Sequence, residues 1–138
     1  QIKAVASGEC QVALSNSYYV ARMMRSSNPD DRAAMEKVAI VFPDQQSYGT
    51  HTNIAGGAVA KHAPHRAAAV RFLEYLAGDD AQRYFANGNN EWPTVAGVKA
   101  ANPALEALGS FKADELPVSV IGANQGKVQQ MLDRVGYK

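Results

Sequence analysis

The sequence predicts an α/β fold with a mainly parallel sheet, because short apolar segments alternate along the chain with segments of helical periodicity. This alternation is typical of strand–helix–strand units that share one sheet. Neither an internal repeat nor a low-complexity stretch interrupts the pattern. With 138 residues, 46% of them hydrophobic, the sequence is long and apolar enough to build a globular core.

The first part of the chain predicts a strand between two helices. "QIKAVASGE" has the pattern of the last turns of a helix, which Gly8 ends. "QVALS" (Gln11–Ser15) is short and apolar, as a buried strand is. A helix is predicted over Tyr18–Arg25, with Asn16 or Ser17 as its N-cap.

The next part predicts a helix and two more strands. Pro29 suits the first turn of a helix over Asp30–Lys37, whose early acidic residues favour the positive end of the helix dipole. "VAIVFP" (Val38–Pro43) is a predicted buried strand. "IAGGAVA" follows a polar loop, and its paired glycines, Gly56 and Gly57, predict a bulge or a close backbone approach.

The strongest helical pattern begins at Pro64 and ends at Gly78. Asp79 begins the next predicted helix, and Gln82 three residues later completes a capping-box pattern. The first of these helices carries a stripe at the spacing of a core-facing surface, formed by Ala69, Phe72, Leu73 and Leu76.

The end of the chain predicts two extended segments, "EWPTV" (Glu91–Val95) and "LPVSVI" (Leu116–Ile121). Between them, "NPALEALGSF" predicts a short helix or turn. A last helix is predicted over about 125–135. It carries a second core-facing stripe, formed by Val128, Met131, Leu132 and Val135.

The charge balance predicts neither a nucleic-acid partner nor membrane insertion. Lys and Arg number 14 against 13 Asp and Glu, so the net charge is +1, and the basic residues are scattered. No apolar run approaches the roughly 20 residues that span a bilayer. The single cysteine, Cys10, has no partner for an internal disulfide and is predicted to be a small buried residue.

Motifs of catalysis are absent from the sequence. It contains no G-x-G-x-x-G, no phosphate-binding loop, no H-E-x-x-H and no G-x-S-x-G. His62 and His65 flank Pro64, so they are not an i, i+4 pair of metal ligands, and with His51 they are expected to be solvated. The sequence therefore predicts no enzyme.

Two neighbouring tyrosines, Tyr18 and Tyr19, stand at the start of a predicted helix, where they cannot both face the core. One interpretation buries one ring and exposes the other. The alternative directs both phenols into a cleft, where they can bind a metal. A phenolate is a hard anionic oxygen that suits Fe(III), and a trivalent ion displaces the phenolic proton, whose pKa is ordinarily about 10.

The same helix start can hold an anion. Its backbone N–H groups and dipole attract negative charge, and Asn16 and Ser17 add side-chain donors. Carbonate or phosphate could thus complete the shell of a metal. Arg22 follows Tyr18 by four residues and Tyr19 by three, so it lies on the same side of the helix. It either balances the phenolate charge or is an ordinary surface arginine.

The segment "GECQVALSNSYYVARM" resembles the tyrosine-pair segment of the periplasmic ferric-iron-binding proteins of ABC importers, a transferrin-like bacterial solute-binding family. The resemblance continues through "NIAGGAVAKHAPHRAAAVRFLEYLAGDDAQRYFANGNNEWPTVAGV" and ends with "VIGANQGKVQQMLDRVGY", so it covers essentially the whole chain. It implies that Tyr18 and Tyr19 are metal ligands and that Asn16 and Arg22 serve the bound anion.

The resemblance also implies a type II periplasmic binding protein-like fold of two lobes, with this chain as the C-terminal half. Residues 1–47 then belong to the second lobe, 48–99 pack on the first lobe, and 100–138 return to the second. The chain crosses a hinge near Tyr48–Gly49. The remaining iron ligands come from the N-terminal half of the same protein, which is missing from this sequence or forms a separate chain.

The function that the resemblance implies is capture of Fe(III), with a synergistic anion, in a cleft between the lobes. The resemblance also implies that the protein lies in the periplasm and delivers the iron to the permease of an ABC transporter. Two alternatives keep the fold and change the role. One is binding of an organic solute or oxyanion such as a polyamine, thiamine or a phosphate-like ion, and the other is ligand sensing within a regulator.

Overall fold

The structure is a computed structural model that describes residues 1–137, and this range contains seven helices. In chain order they are α1 (Ile2–Ala6), α2 (Ser17–Met24), α3 (Pro29–Met35), α4 (Arg66–Leu76), α5 (Asp79–Asn89), α6 (Pro103–Ala107) and α7 (Val118–Arg134). None of them, within this range, is both long and apolar enough to cross a membrane. The only bridge of β type among these residues is an isolated parallel one between Thr50 and Ala113.

The predicted helices are all present, and capping residues and prolines in the sequence explain where several of them begin. Asn16 is the N-cap of α2, as its position after the strand-like segment predicts. Asn28 caps α3 by accepting a hydrogen bond from the Asp30 N–H at 2.9 Å, with Pro29 in the first turn. The segment predicted as a short helix or turn is the helix α6.

The strands predicted within "QVALS", "VAIVFP" and "IAGGAVA" are wrong for the described residues, where these segments form no strand. A strand is stable only when its backbone N–H and C=O groups pair with a neighbouring strand. None of these segments has such a neighbour within residues 1–137. Leu14, predicted to be buried in the first strand, is 88% exposed.

The extended segment predicted over Leu116–Ile121 is also wrong, because α7 begins at Val118. Pro117 is the N-cap of that helix, with φ −62° and ψ 137°, and its fixed φ prepares the chain for a first turn. The β-branched residues that suggested a strand have no neighbouring strand to pair with in the described structure, so the proline signal dominates.

The capping box predicted at the start of α5 does not form. Gly78 is the N-cap and has no side chain to offer. Gln82 instead donates from Nε2 to the Leu76 carbonyl at 2.9 Å and accepts at Oε1 from the Thr94 N–H, also at 2.9 Å. Gln82 thus fastens the segment after α5 to the end of α4.

The apolar stripes of α4 and α7 are only partly covered, with Leu73, Leu76 and Leu132 half-buried. Phe72 is 60% exposed, and neither helix has a buried residue. Among the described elements α4 packs on α5, which covers only part of its surface. Cys10, expected to be buried, is exposed as well. The periodicity predicted the helices correctly and their burial incorrectly, because burial depends on a second surface that residues 1–137 do not provide.

The chain forms two compact units. The first comprises residues 1–41 and 54–110. Its core is made mainly of small residues on four helices, among them Val20, Ala21, Ala81, Ala86, Ala104 and Leu105. The division into lobes at residues 47 and 99 stays a prediction.

The second unit combines residues 42–53 with the chain from Phe111 onward. Thr50 donates from its N–H to the Lys112 carbonyl, and its own carbonyl accepts from the Asp114 N–H, both at 2.8 Å. The rings of Phe42 and Phe111 stack with their centroids 4.4 Å apart. Backbone pairing and ring stacking therefore join two segments that are distant in sequence.

A buried amide joins three helices of the first unit. Asn102, only 1% exposed, caps α6 by accepting from the Ala104 N–H at 3.1 Å. Its Nδ2 donates to the Ala86 carbonyl at 2.8 Å and to Asn90 Oδ1 at 3.0 Å. Arg25 Nη1, at the end of α2, donates to the same Asn90 oxygen at 2.7 Å. The ends of α2 and α5 and the start of α6 thus meet at one point.

We expect Asn102→Ala to lower the free energy of unfolding by about 3 kcal/mol, because it removes a cap and leaves buried partners unpaired. Asn28→Ala removes the same kind of cap at an exposed helix start and is the matched control, with an expected loss of about 1 kcal/mol. Urea unfolding of both variants measures the difference. Equal losses would contradict the role of the buried amide.

Gly49 lies in a close backbone contact of the second unit. Its φ is +101°, and a Cβ there would lie 2.7 Å from the backbone of Ala113. Gly49→Ala should therefore cost more than about 2 kcal/mol of stability. Gly8→Ala is the control, since Gly8 also has positive φ but open space around it, and about 1 kcal/mol is expected there. Chemical denaturation that ranks Gly8→Ala as the more harmful change would disprove this account.

Candidate functional site

The paired tyrosines lie in the first turn of α2, which two buried residues hold in place. Val20 and Ala21 face the core, and Ala21 packs in one cluster with Ala104 and Leu105 of α6. This fixes the rotation of the helix about its axis. Tyr18 is half-buried and Tyr19 is 46% exposed, so neither ring enters the core. The interpretation with one tyrosine buried is therefore wrong.

The two phenol rings are in direct contact. Their centroids are 4.3 Å apart, and the ring planes are tilted by 43°. Asn16 Nδ2 donates a hydrogen bond to the Tyr18 hydroxyl at 3.2 Å. The Arg22 guanidinium carbon lies 5.6 Å from the centroid of the Tyr19 ring, within the range of a cation–π interaction. Four of the five residues predicted from the sequence therefore form one cluster.

Ser17, the fifth, is the first residue of α2 and is half-buried beside the cluster. The Asn16 side chain makes no capping bond, because its amide is directed to the Tyr18 hydroxyl instead. The start of α2 therefore keeps the positive end of its dipole next to two phenols without a side-chain oxygen over it. That arrangement favours negative charge at this point.

The two phenols have unequal acidity. The hydrogen bond with Tyr19 lowers the pKa of Tyr18, and the Asn16 amide and the charge of Arg22 act in the same direction. The same hydrogen bond, and the charge that Tyr18 acquires, raise the pKa of Tyr19. The opposite directions have one cause, because Tyr19 stabilises a phenolate at Tyr18 by keeping its own proton.

The other metal-binding side chains do not gather in this part of the protein. Within residues 1–137 no three His, Cys, Asp or Glu side chains are placed to hold one metal ion. His51, His62 and His65 are all exposed, as the sequence predicted.

Sequence reasoning missed two residues that act on this cluster. Glu91, some seventy positions away in sequence, raises the pKa of Tyr18 through its negative charge. Arg25 anchors the far end of α2 through its bonds to the Asn87 carbonyl and to Asn90. Both interactions join residues that are distant in sequence, so no local sequence pattern predicts them.

Comparison with known proteins gives consistent matches over the whole chain. Residues 2–114 match the family of bacterial extracellular solute-binding proteins. The iron uptake protein A2 of Synechocystis sp. is 48% identical over 140 residues, which cover 100% of this chain and 40% of that protein. The chain spans about 40% of the length of the curated relatives it matches.

Solved structures match equally well. A Trichodesmium structure, IdiA (FutA) in complex with iron and citrate ligands, is 51% identical with a TM-score of 0.91, and the match covers 100% of this chain and 43% of that one. A ferric binding protein from Campylobacter jejuni is 33% identical, also with a TM-score of 0.91 and 43% of its chain covered. The backbone fold of this chain therefore recurs within larger proteins.

The unequal acidity of the two phenols leads to a prediction. Tyr19→Phe removes the partner of Tyr18, so the pKa of Tyr18 should rise towards its ordinary value. Tyr18→Phe should lower the pKa of Tyr19 for the converse reason. Carbon-13 NMR of labelled tyrosine rings, followed against pH, measures both. Tyr84→Phe removes an exposed phenol elsewhere and should leave the pKa values of the pair unchanged. Shifts of the same sign in both variants of the pair would refute the mutual effect of Tyr18 and Tyr19.

Proposed function

Because this chain belongs to the bacterial extracellular solute-binding protein family, we propose that it is the tyrosine-bearing part of a protein that captures Fe(III). The family consists of solute-binding proteins, and the prediction that the chain is not an enzyme is confirmed. The type II two-lobed fold is likewise confirmed by TM-scores of 0.91 to ferric-binding structures that cover the whole chain. Iron as the solute is our proposal.

The contact between the two phenols is the observation that carries this proposal. Adjacent rings with centroids 4.3 Å apart bring two hard oxygen donors to one helix start. Their unequal acidity suits stepwise binding, in which Tyr18 ionises first and the metal then displaces the proton of Tyr19. Two phenolates neutralise two of the three charges of Fe(III). The names of the similar proteins, an iron uptake protein and a complex with iron and citrate, agree with that chemistry.

A small anion completes the proposed site. Asn16, Ser17 and the N–H groups of the first turn supply donors, and Arg22 supplies positive charge. Carbonate and phosphate both fit this set of donors. The citrate in the Trichodesmium structure adds a carboxylate-rich anion to the candidates. The iron-related names of the similar proteins give less support to an organic solute, the alternative that the sequence left open.

The remaining ligands come, in this proposal, from the part of the protein that these residues do not include. Residues 1–47 and 100–138 contribute to one lobe and 48–99 pack on the other, and closure of the lobes completes the iron shell and excludes water. The iron is then delivered to the permease of an ABC transporter. The family of extracellular solute-binding proteins fits a location in the periplasm.

The test is the colour of the iron complex of the protein at its natural full length. Fe(III) bound to phenolate should give a visible charge-transfer band when ferric iron is added with carbonate, phosphate or citrate. Tyr18→Phe and Tyr19→Phe should each weaken binding by more than about 100-fold, beyond the effect of residues that only support a ligand.

Tyr84→Phe removes one exposed phenol on α5 and serves as the control, with the band and the affinity expected to stay unchanged. A protein that stays colourless with ferric iron and each of the three anions would disprove the proposal. An unaltered band in both variants of the pair would show that the iron binds elsewhere.

A further inference from the structure

Two arginines at the end of α2 line one surface cavity of the first unit. Arg22 and Arg25 are three residues apart and therefore lie on the same side of the helix. Asn87 and Asn90, at the end of α5, line this cavity as well. Their oxygen atoms are hydrogen-bond acceptors of the kind that a guanidinium binds, so either arginine is chemically suited to bind there.

Arg25 occupies these acceptors. Its Nη1 donates to the Asn87 carbonyl and to Asn90 Oδ1, both at 2.7 Å. Asn90 is 5% exposed, and its Oδ1 also accepts from Asn102 Nδ2 at 3.0 Å. Two donors therefore use both lone pairs of that oxygen. Because the donor is charged, the bonds of Arg25 are of the stronger kind, and they hold its guanidinium against the end of α5.

The carboxylate of Asp31, which lines the same cavity, is occupied too. Lys3 Nζ lies 2.6 Å from Asp31 Oδ1, and the Ser26 hydroxyl donates to Oδ2 at 2.7 Å. Within residues 1–137 the Arg22 guanidinium has no hydrogen bond or ion pair, and its carbon lies 5.6 Å from the centroid of the Tyr19 ring. Arg22 thus contacts an aromatic ring while other donors fill the stronger acceptors of the cavity.

We propose that Arg25 is a positioning residue of the iron site, which keeps Arg22 over Tyr19 by occupying the acceptors that Arg22 would otherwise bind. The inference rests on the proposed function, in which Arg22 supplies positive charge to the anion. Repulsion between the two guanidinium groups acts in the same direction, because it disfavours the approach of Arg22 to the place that Arg25 fills. Without Arg25, the Arg22 side chain would turn to Asn87 and Asn90, and the site would lose its cation.

The experiment is a double-mutant cycle on the full-length protein, with Fe(III) affinity measured in the presence of carbonate, phosphate and citrate in turn. Arg25→Met should weaken binding by about tenfold, the size of one lost charge-assisted contact. In the Arg22→Met background the same change should have less than about a twofold effect, because no Arg22 is left to be displaced. Arg83→Met removes an exposed arginine of α5 and should leave the affinity unchanged.

Equal effects of Arg25→Met in the two backgrounds would overturn the proposal, because a residue that only stabilises the fold acts whether or not Arg22 is present. An unchanged affinity in both backgrounds would overturn it as well. Arg25→Lys, a milder change that keeps the charge, takes the place of Arg25→Met in the cycle if that variant does not fold. It should weaken binding by about threefold, and only where Arg22 is present.

A measurement without iron separates this inference from the proposed function. The ring current of Tyr19 should shift the NMR signals of the Arg22 δ protons upfield, and Arg25→Met should return them towards the values of a solvated arginine. An unchanged shift in Arg25→Met would refute the positioning role even in a protein that binds iron. A full-length protein that binds no ferric iron with any of the three anions would instead defeat the proposed function itself.

Discussion

One amide oxygen, Asn90 Oδ1, holds together the part of the protein that carries the tyrosines. It accepts hydrogen bonds from Arg25 of α2 and from Asn102 at the start of α6, at 2.7 and 3.0 Å. Buried polar atoms are costly unless they are paired, so this junction permits essentially one arrangement of the three helices. The position of the first turn of α2, and hence of both phenols, depends on this junction at its opposite end together with the packing of Val20 and Ala21.

The phenol pair shows how two identical side chains acquire different pKa values when they lie close together. Tyr18 and Tyr19 differ in acidity because each acts on the charge of the other, and Asn16 and Arg22 further favour charge on Tyr18. In the proposed iron site, Tyr18 would ionise first, and Tyr19 would lose its proton under the field of the metal. The unequal acidity of the two phenols therefore arises from residues at the start of α2.

The sequence predicts those features whose cause lies within a few residues. Asn28 and Pro29 set the start of α3, and the spacing of Tyr18 and Arg22 places both on one side of α2. The strands could not be predicted, because "QVALS" has no neighbouring strand within residues 1–137 and remains irregular. The effect of Glu91 on the pKa of Tyr18 could not be predicted either, because the two residues are distant in sequence and no local pattern links them. The sequence therefore predicts local features such as helix caps, and it does not predict contacts between residues that are distant in the chain.

The second unit has a consequence for the order of events during synthesis. Its two segments are separated in the chain by the whole stretch 54–110, which belongs to the first unit. The ring of Phe42 and the backbone of Thr50 therefore leave the ribosome long before Phe111 and Lys112 exist. Closure of such a long loop costs entropy, and compaction of the intervening chain lowers that cost. Synthesis of residues 111–114 thus sets the earliest moment at which the second unit can assemble, and folding of the first unit makes the assembly easier.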